Sequence, residues 1–299
     1  MTRLFRPLAA VACAALLSPP ALGADIPHLA TQGTTKQLIV DGRPFLILGG
    51  ELANSTASSL DYLNTKWPTL KSVGLNTVIA PVEWDQIEPQ PGKYDFTVLD
   101  GMIKQARQND VKLVLLWFGA WKNSMSTYVP AWVKRDYAIY SRAQDDKGQP
   151  QDILSPFDPD TLGADARAFS AMMAHLKQAD TAHTVVMIQV ENEIGMLPVV
   201  RDYSPQAQTA WNGPVPVDLM TYLKTHRETL DPYVRTLWES NGLKDSGTWQ
   251  EVFGTSIQAQ EVFQAWYFAA FANGLAKAGK AQYPLPMYVN AALIRPGKT

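Results

Sequence analysis

A single cysteine, Cys13, stands in the whole chain, so no intramolecular disulfide can form and stability must come from a packed core. Histidine is almost as scarce. His28, His175, His183 and His226 are scattered, with no pair at ligand spacing, which gives a metal centre no support. No Gly-x-Gly-x-x-Gly or Gly-Lys-Ser/Thr loop follows any apolar run, so nucleotide binding is unsupported too. An excess of positive charge is also missing: 26 basic residues face 28 acidic ones, a formal net charge of −2. Such a balance leaves no electrostatic footprint for nucleic acid or an anionic membrane. No cofactor is implied, and internal repeats and low-complexity segments are absent.

Long hydrophobic runs are lacking as well. The apolar stretch Leu8 to Leu17 is half of the roughly 20 residues a membrane-spanning helix needs. Arg3 and Arg6 before it, and Ala21-Leu22-Gly23 after it, complete the three-part pattern of a signal peptide over residues 1–23. The expectation is cleavage before Ala24, a secreted or periplasmic protein and no stable membrane insertion. The mature chain would then carry no thiol, and 24 basic against 28 acidic residues, a formal net charge of −4. A weakly acidic protein of this kind suits a neutral small molecule or polymer as partner. Nine tryptophans and eleven tyrosines suit stacking on sugar rings, although most such residues are core. Residues 24–299 fit one domain, since α/β barrels of about 250 residues commonly form one.

The patterning alternates strands and helices. Leu38-Ile39-Val40, a turn at Asp41 to Pro44 and the run Phe45 to Leu48 predict a hairpin leading into a buried first strand. Leu60, Leu63, Trp67, Leu70 and Val73 predict one helix stopped by Gly74, with Pro68 as a kink. Thr77 to Val82 and Thr184 to Val190 read as strands, and Lys112 to Phe118 is almost continuously apolar, as a strand covered on both faces must be. Helices follow at Phe96 to Ala106 and Ala166 to Lys177, a long loop occupies the stretch after Phe118, and Asp218 to Lys280 is mostly helical. Leu285 to Ala291 is a fifth strand. Repeated βα units predict a parallel sheet in an α/β fold, either a barrel or a doubly wound sheet.

In such folds chemistry gathers beyond the carboxyl ends of strands. Those ends carry Glu51, Glu83-Trp84, Trp117 to Asn123, Glu191-Asn192-Glu193 and Asn290. Carboxyl groups, amides and indoles at successive strand ends suit glycosidic bond cleavage, which needs two carboxyl groups and partners for sugar hydroxyls. Glu51 or Glu83 alone reads as a solvated or ion-paired residue, and Trp84, Trp132 and Trp211 as packing. Strand alternation would put Gln189, Glu191 and Glu193 on one side. Three polar residues in line are costly in an apolar barrel unless they are used.

Six segments carry a family likeness: Asp41-Gly42-Arg43-Pro44-Phe45; Gly74-Leu75-Asn76-Thr77; Trp84 with Glu88-Pro89; Pro91-Gly92-Lys93-Tyr94-Asp95-Phe96; Pro130-Ala131-Trp132; and Gln189-Val190-Glu191-Asn192-Glu193-Ile194-Gly195. In order and approximate spacing they resemble glycoside hydrolase family 35, dominated by β-galactosidases. Pro284 to Asn290 looks like a bacterial branch of it. The resemblance implies a (β/α)₈ barrel, here truncated after about the fifth strand and so incomplete at the C-terminus, and exo-acting, retaining release of terminal β-linked galactose. It implies Glu193 as acid/base, Asn192 on the sugar 2-hydroxyl, and a nucleophilic Glu after a seventh strand, outside this chain. The fragment alone would then be inactive. The terminal-sugar subsite would be lined by Glu51, Trp121, Lys122 and Asn123. Two positions depart from the family pattern. Glu51-Leu52-Ala53-Asn54 replaces Ser-x-His-Tyr, and Gly119 to Asn123 replaces an Ala-Glu pair. The rival readings are a non-catalytic carbohydrate-binding barrel and a related glycosidase for another β-linked sugar.

Overall fold

A computed structural model describes residues 25–197 and 199–292. The predicted signal peptide, with Cys13, lies outside the described residues. The first element is a three-stranded antiparallel sheet of β1 (His28–Gln32), β2 (Thr35–Val40) and β3 (Arg43–Pro44). Asp41 and Gly42, at φ 51° and 73°, give the two left-handed residues a tight hairpin turn requires. β1 lies in the polar stretch before Gln37, where no apolar alternation marked it. The expected first strand, Phe45 to Leu48, is displaced. The main sheet begins at β4 (Gly49–Glu51), while Leu46 and Leu48 are exposed. Phe45 and Ile47 pack with Leu38, Val40, Val114 and Val186 on one face of the main sheet.

The single helix expected over Leu60 to Val73 is two, α1 (Leu60–Asn64) and α2 (Trp67–Ser72). Pro68 falls in the first turn of α2, where its missing N–H removes no helical bond. Gly74, at φ 76°, ends that helix as predicted. Next come β5 (Thr77–Glu83), α3 (Trp84–Ile87), α4 (Thr97–Gln108), β6 (Lys112–Phe118) and α5 (Ala131–Arg135). The stretch read as a long loop contains an antiparallel pair, β7 (Arg142–Gln144) and β8 (Pro150–Leu154). After α6 (Pro159–Ala179) and β9 (Val185–Val190) come α7 (Pro205–Asn212), α8 (Val217–Thr225), α9 (Pro232–Ser240), α10 (Trp249–Phe253) and α11 (Ile257–Gln282). The fifth parallel strand, β10, is only Met287–Tyr288.

The five strands lie in the order β10-β9-β6-β5-β4, each parallel to its neighbours. Sequential neighbours without a reversal of order make an arc of a barrel; a doubly wound sheet reverses. Leu113, Leu115 and Trp117 of β6 pack in one cluster with Met102 and Ile103 of α4 and Phe169, Met172 and Leu176 of α6. Each such side chain fully buried contributes roughly 1.5–3 kcal/mol. A second cluster joins α7 to α10 with the first turns of α11 around Trp211, Trp238, Trp249 and Phe263. Among the described residues no helix is long and apolar enough to cross a membrane.

Candidate active site

The carboxyl end of β9 carries the most constrained backbone at this rim. Glu191 and Glu193 both take the left-handed conformation, at φ 60° and 45°, although neither is glycine. Strain of this kind costs on the order of 1–3 kcal/mol per residue and persists only where the surroundings hold it. It also ends the alternation. Gln189, Glu191 and Glu193 do not share one side: Glu191 is wholly buried, Glu193 is exposed and Asn192 lies between them, buried.

Glu191 turns under the β6 loop. Its Oε1 accepts from the amide of Ala120 at 3.0 Å and its Oε2 from that of Trp121 at 2.8 Å. Asp165 of α6 reaches the same place, its Oδ2 accepting from Ala120 N and its Oδ1 from Trp117 Nε1, both at 2.8 Å. Burial pushes the Glu191 carboxyl well above the usual range, and the neighbouring Asp165 adds to the shift. Burial raises the Asp165 carboxyl as well. Gly119 makes this approach possible, because a Cβ there would stand 2.5 Å from both Asp165 Oδ2 and Glu191 Oε1 and 2.4 Å from Trp117 Nε1.

Asn192 and Glu193 are held from the neighbouring strand ends. The amide of Glu193 donates to Asn290 Oδ1 at 2.7 Å, and Asn290 Nδ2 donates to Asn192 Oδ1 at 2.9 Å. Gln189 Nε2 also donates to Asn192 Oδ1, at 2.8 Å, and Asn192 Nδ2 donates to the Lys122 carbonyl at 2.8 Å. Because a backbone N–H can only donate, the first bond fixes the Asn290 amide and, through it, that of Asn192. The Asn192 oxygen is then saturated, and one of its two N–H groups is uncommitted.

The family model described as beta-galactosidase, that of glycoside hydrolase family 42, matches residues 59–253, a span that contains the whole β9 turn. The chain belongs to that family. It is 28% identical over 203 residues to a beta-galactosidase of Xanthomonas manihotis and 28% identical over 166 residues to one of Canis lupus familiaris. Those alignments cover 63% and 53% of this chain but 30% and 23% of the relatives, so the chain spans less than a third of their length. Two solved beta-galactosidases share its fold. That of Bacillus circulans sp. alkalophilus has a TM-score of 0.54 at 17% identity, covering 82% of this chain and 36% of that one. That of Marinomonas ef1 has 0.56 at 14%, covering 82% and 37%. The match is to family 42, whereas the motifs resemble family 35. The statement common to both is membership of a β-galactosidase-like glycoside hydrolase family, with a fold like that of the barrel of those proteins.

Within this β-galactosidase-like fold the other expected residues separate. Lys122 and Asn123 follow β6 and are partly exposed. Asn123 Oδ1 accepts from Met125 N and Ser126 Oγ, which makes it a turn residue. Glu51 is exposed at the end of β4. Trp121 does not line the rim. It is fully buried, its ring edge-on to Phe268 and Phe271 of α11 at 4.8 and 4.4 Å and its Nε1 on the Leu154 carbonyl. The residue continues past β6 into the interface with α11, which no local pattern announces. Glu83 is tied down by Ser58 Oγ at 2.7 Å and Gln86 Nε2 at 2.5 Å. Burial pushes its carboxyl up. Glu88 accepts from Trp84 Nε1 and from Gly92 N, so the Glu-Pro-x-Pro-Gly motif is a structural knot.

Asp165 is a site residue that strand-end patterning does not reach, although it sits on the buried stripe of α6 with Thr161, Ala164, Ala168, Phe169 and Met172. An acid at such a position requires a partner.

Proposed function

We propose that this protein takes part in exo-acting, retaining hydrolysis of terminal β-linked galactose in oligo- or polysaccharides, outside the cytoplasm, with Glu193 as acid/base. One observation carries the reading. In a chain of a β-galactosidase family, an exposed carboxyl and an adjacent amide with one free donor stand together just past a parallel strand. In this reading the spare N–H of Asn192 meets the sugar 2-hydroxyl, a contact that strengthens as the oxocarbenium-like transition state forms. Glu193 protonates the leaving oxygen and later activates water. Glu51, Lys122 and Asn123 border the terminal sugar.

A retaining pair needs a second carboxyl group about 5–5.5 Å from the first. The sheet order places β5 two strands and β4 three strands from β9. At about 4.8 Å per strand, Glu83 and Glu51 start roughly 10 and 14 Å away. Neither supplies the second carboxyl at that spacing, and the resemblance to family 35 implies that a Glu after a seventh strand does so. The test is a panel of aryl β-glycosides offered to the protein expressed from its native gene. Release from the galactoside well above that from the glucoside and mannoside is expected. Release from another sugar with none from the galactoside would overturn the substrate assignment.

A further inference from the structure

Asp165 and Glu191 are both wholly enclosed, and among the described residues no Lys, Arg or His forms an ion pair with either. The groups that face them are the Trp117 indole N–H and the amides of Ala120 and Trp121. The further charge felt by Asp165 is that of Glu88, which adds repulsion. One hydrogen, that of Ala120 N, is offered to an oxygen of each carboxyl, and the two oxygens flank the same point above Gly119. Two buried carboxylates in this arrangement cannot both ionise without a compensating cation.

We propose that Asp165 and Glu191 share one proton, and that this shared proton holds the strained 191–193 turn, making Asp165 a positioning residue that acts through Glu191 on Glu193. The link is short. Glu191 is at φ 60° and Glu193 at φ 45°, so their conformation depends on anchors, and the Glu191 side chain is the one directed into the protein. It grips the amides of residues 120 and 121, and the next residue of that loop, Lys122, accepts from Asn192. When the proton leaves, repulsion between two enclosed charges pushes Glu191 off the loop and releases the segment that carries Glu193. The consequence for catalysis rests on the proposed role of Glu193; the shared proton and the local release do not.

The test compares the wild type with Glu191→Gln and Asp165→Ala from pH 5 to 9. The glutamine amide can donate to Asp165 while its oxygen keeps the Trp121 amide, so it imitates the protonated state permanently. Infrared spectra should show the carbonyl stretch of an enclosed protonated carboxyl in the wild type at pH 7, lost in Glu191→Gln. Amide exchange of residues 190–195 should accelerate in the wild type above the raised titration point, by about tenfold per pH unit beyond the intrinsic change. Glu191→Gln should lack that extra acceleration, and Asp165→Ala should show fast exchange throughout. A wild type with no such carbonyl band at pH 7, or a glutamine variant with the same alkaline loosening, would overturn the proposal. Both readings stand even if Asp165→Ala fails to fold. Glu193→Gln hydrolysing β-galactosides as the wild type does would remove the catalytic role of Glu193 and leave the band and the exchange to be judged alone. An impaired Glu193→Gln with no band would remove only the shared proton.

Discussion

Asn290 accepts the Glu193 backbone N–H on its Oδ1 at 2.7 Å and donates from its Nδ2 to Asn192 at 2.9 Å, so one side chain at the end of β10 sets two residues past β9. Asn290→Ala leaves the Glu193 amide without its partner and removes one of the two donors to the Asn192 oxygen, leaving Asn192 held by Gln189 and the Lys122 carbonyl alone. The expected stability loss is about 1–3 kcal/mol. Turnover should fall by up to about 10²-fold, the effect of an ångström's misplacement. Thermal melting and kcat measure the two effects. Asn290→Asp keeps the acceptor for Glu193 but cannot donate to Asn192, and should recover the stability only in part.

Gly119 and Gly163 should respond to alanine with opposite signs. At Gly119 the new methyl meets Asp165, Glu191 and Trp117 within 2.5 Å. Overpacking of that kind costs about 1–3 kcal/mol. At Gly163, inside α6, its nearest neighbour is the flexible end of Arg167 at 3.5 Å, and removing a helical glycine gains about 0.5–1 kcal/mol. Equal effects of the two substitutions in denaturant melts would contradict the packing described around Gly119.

The pH dependence of stability follows from the raised carboxyl pair. Burial, then the neighbouring charge, lifts Glu191 in the folded state above its unfolded value. More protons are thus bound to the native form than to the unfolded chain, and stability falls as pH rises. The contribution is full below the usual carboxylate range, near about 4.3, and is lost as pH climbs through the raised value. The melting temperature of the wild type relative to Glu191→Gln should decline over that window. A constant difference from pH 4 to 9 would show that the pair does not titrate in the folded protein.

Trp121 belongs to the core, so Trp121→Ala should lose about 3–5 kcal/mol and unfold at markedly lower denaturant. A variant with unchanged stability and weakened galactoside affinity would return Trp121 to the sugar pocket.

Much of this fold is legible in the residues. Lys112 to Phe118 is strand over its whole expected length because both faces are covered and the run is continuously apolar. Gly74 ends its helix where its conformational freedom is needed. Legibility fails where geometry is non-local. β1 is polar and exposed, and is a strand because β2 pairs with it. Leu46 and Leu48 are as apolar as a core strand yet exposed, because the neighbouring strand captures the chain only from Gly49 onward. At the site, the Glu191-Asn192-Glu193 cluster and Asn290 were visible as strand-end residues. The direction of each side chain was not, since it depends on two left-handed residues that an alternating pattern cannot express. Asp165 lies 26 positions before Glu191 in the chain, and only the packing of α6 against the β6 loop brings the two together.

The acid/base role of Glu193 is tested most directly by azide trapping. Glu193→Gln, introduced into the native gene product, is assayed on a β-galactoside with a poor leaving group and on an activated aryl galactoside. Turnover of the first should fall by about 10²- to 10⁴-fold, the usual contribution of general acid–base catalysis. The activated substrate needs little protonation and its first step should suffer less. With azide present, the variant should release β-galactosyl azide, because a small anion can attack the covalent intermediate without a general base. Undiminished hydrolysis of the poor substrate, with no azide product, would contradict the assignment of Glu193.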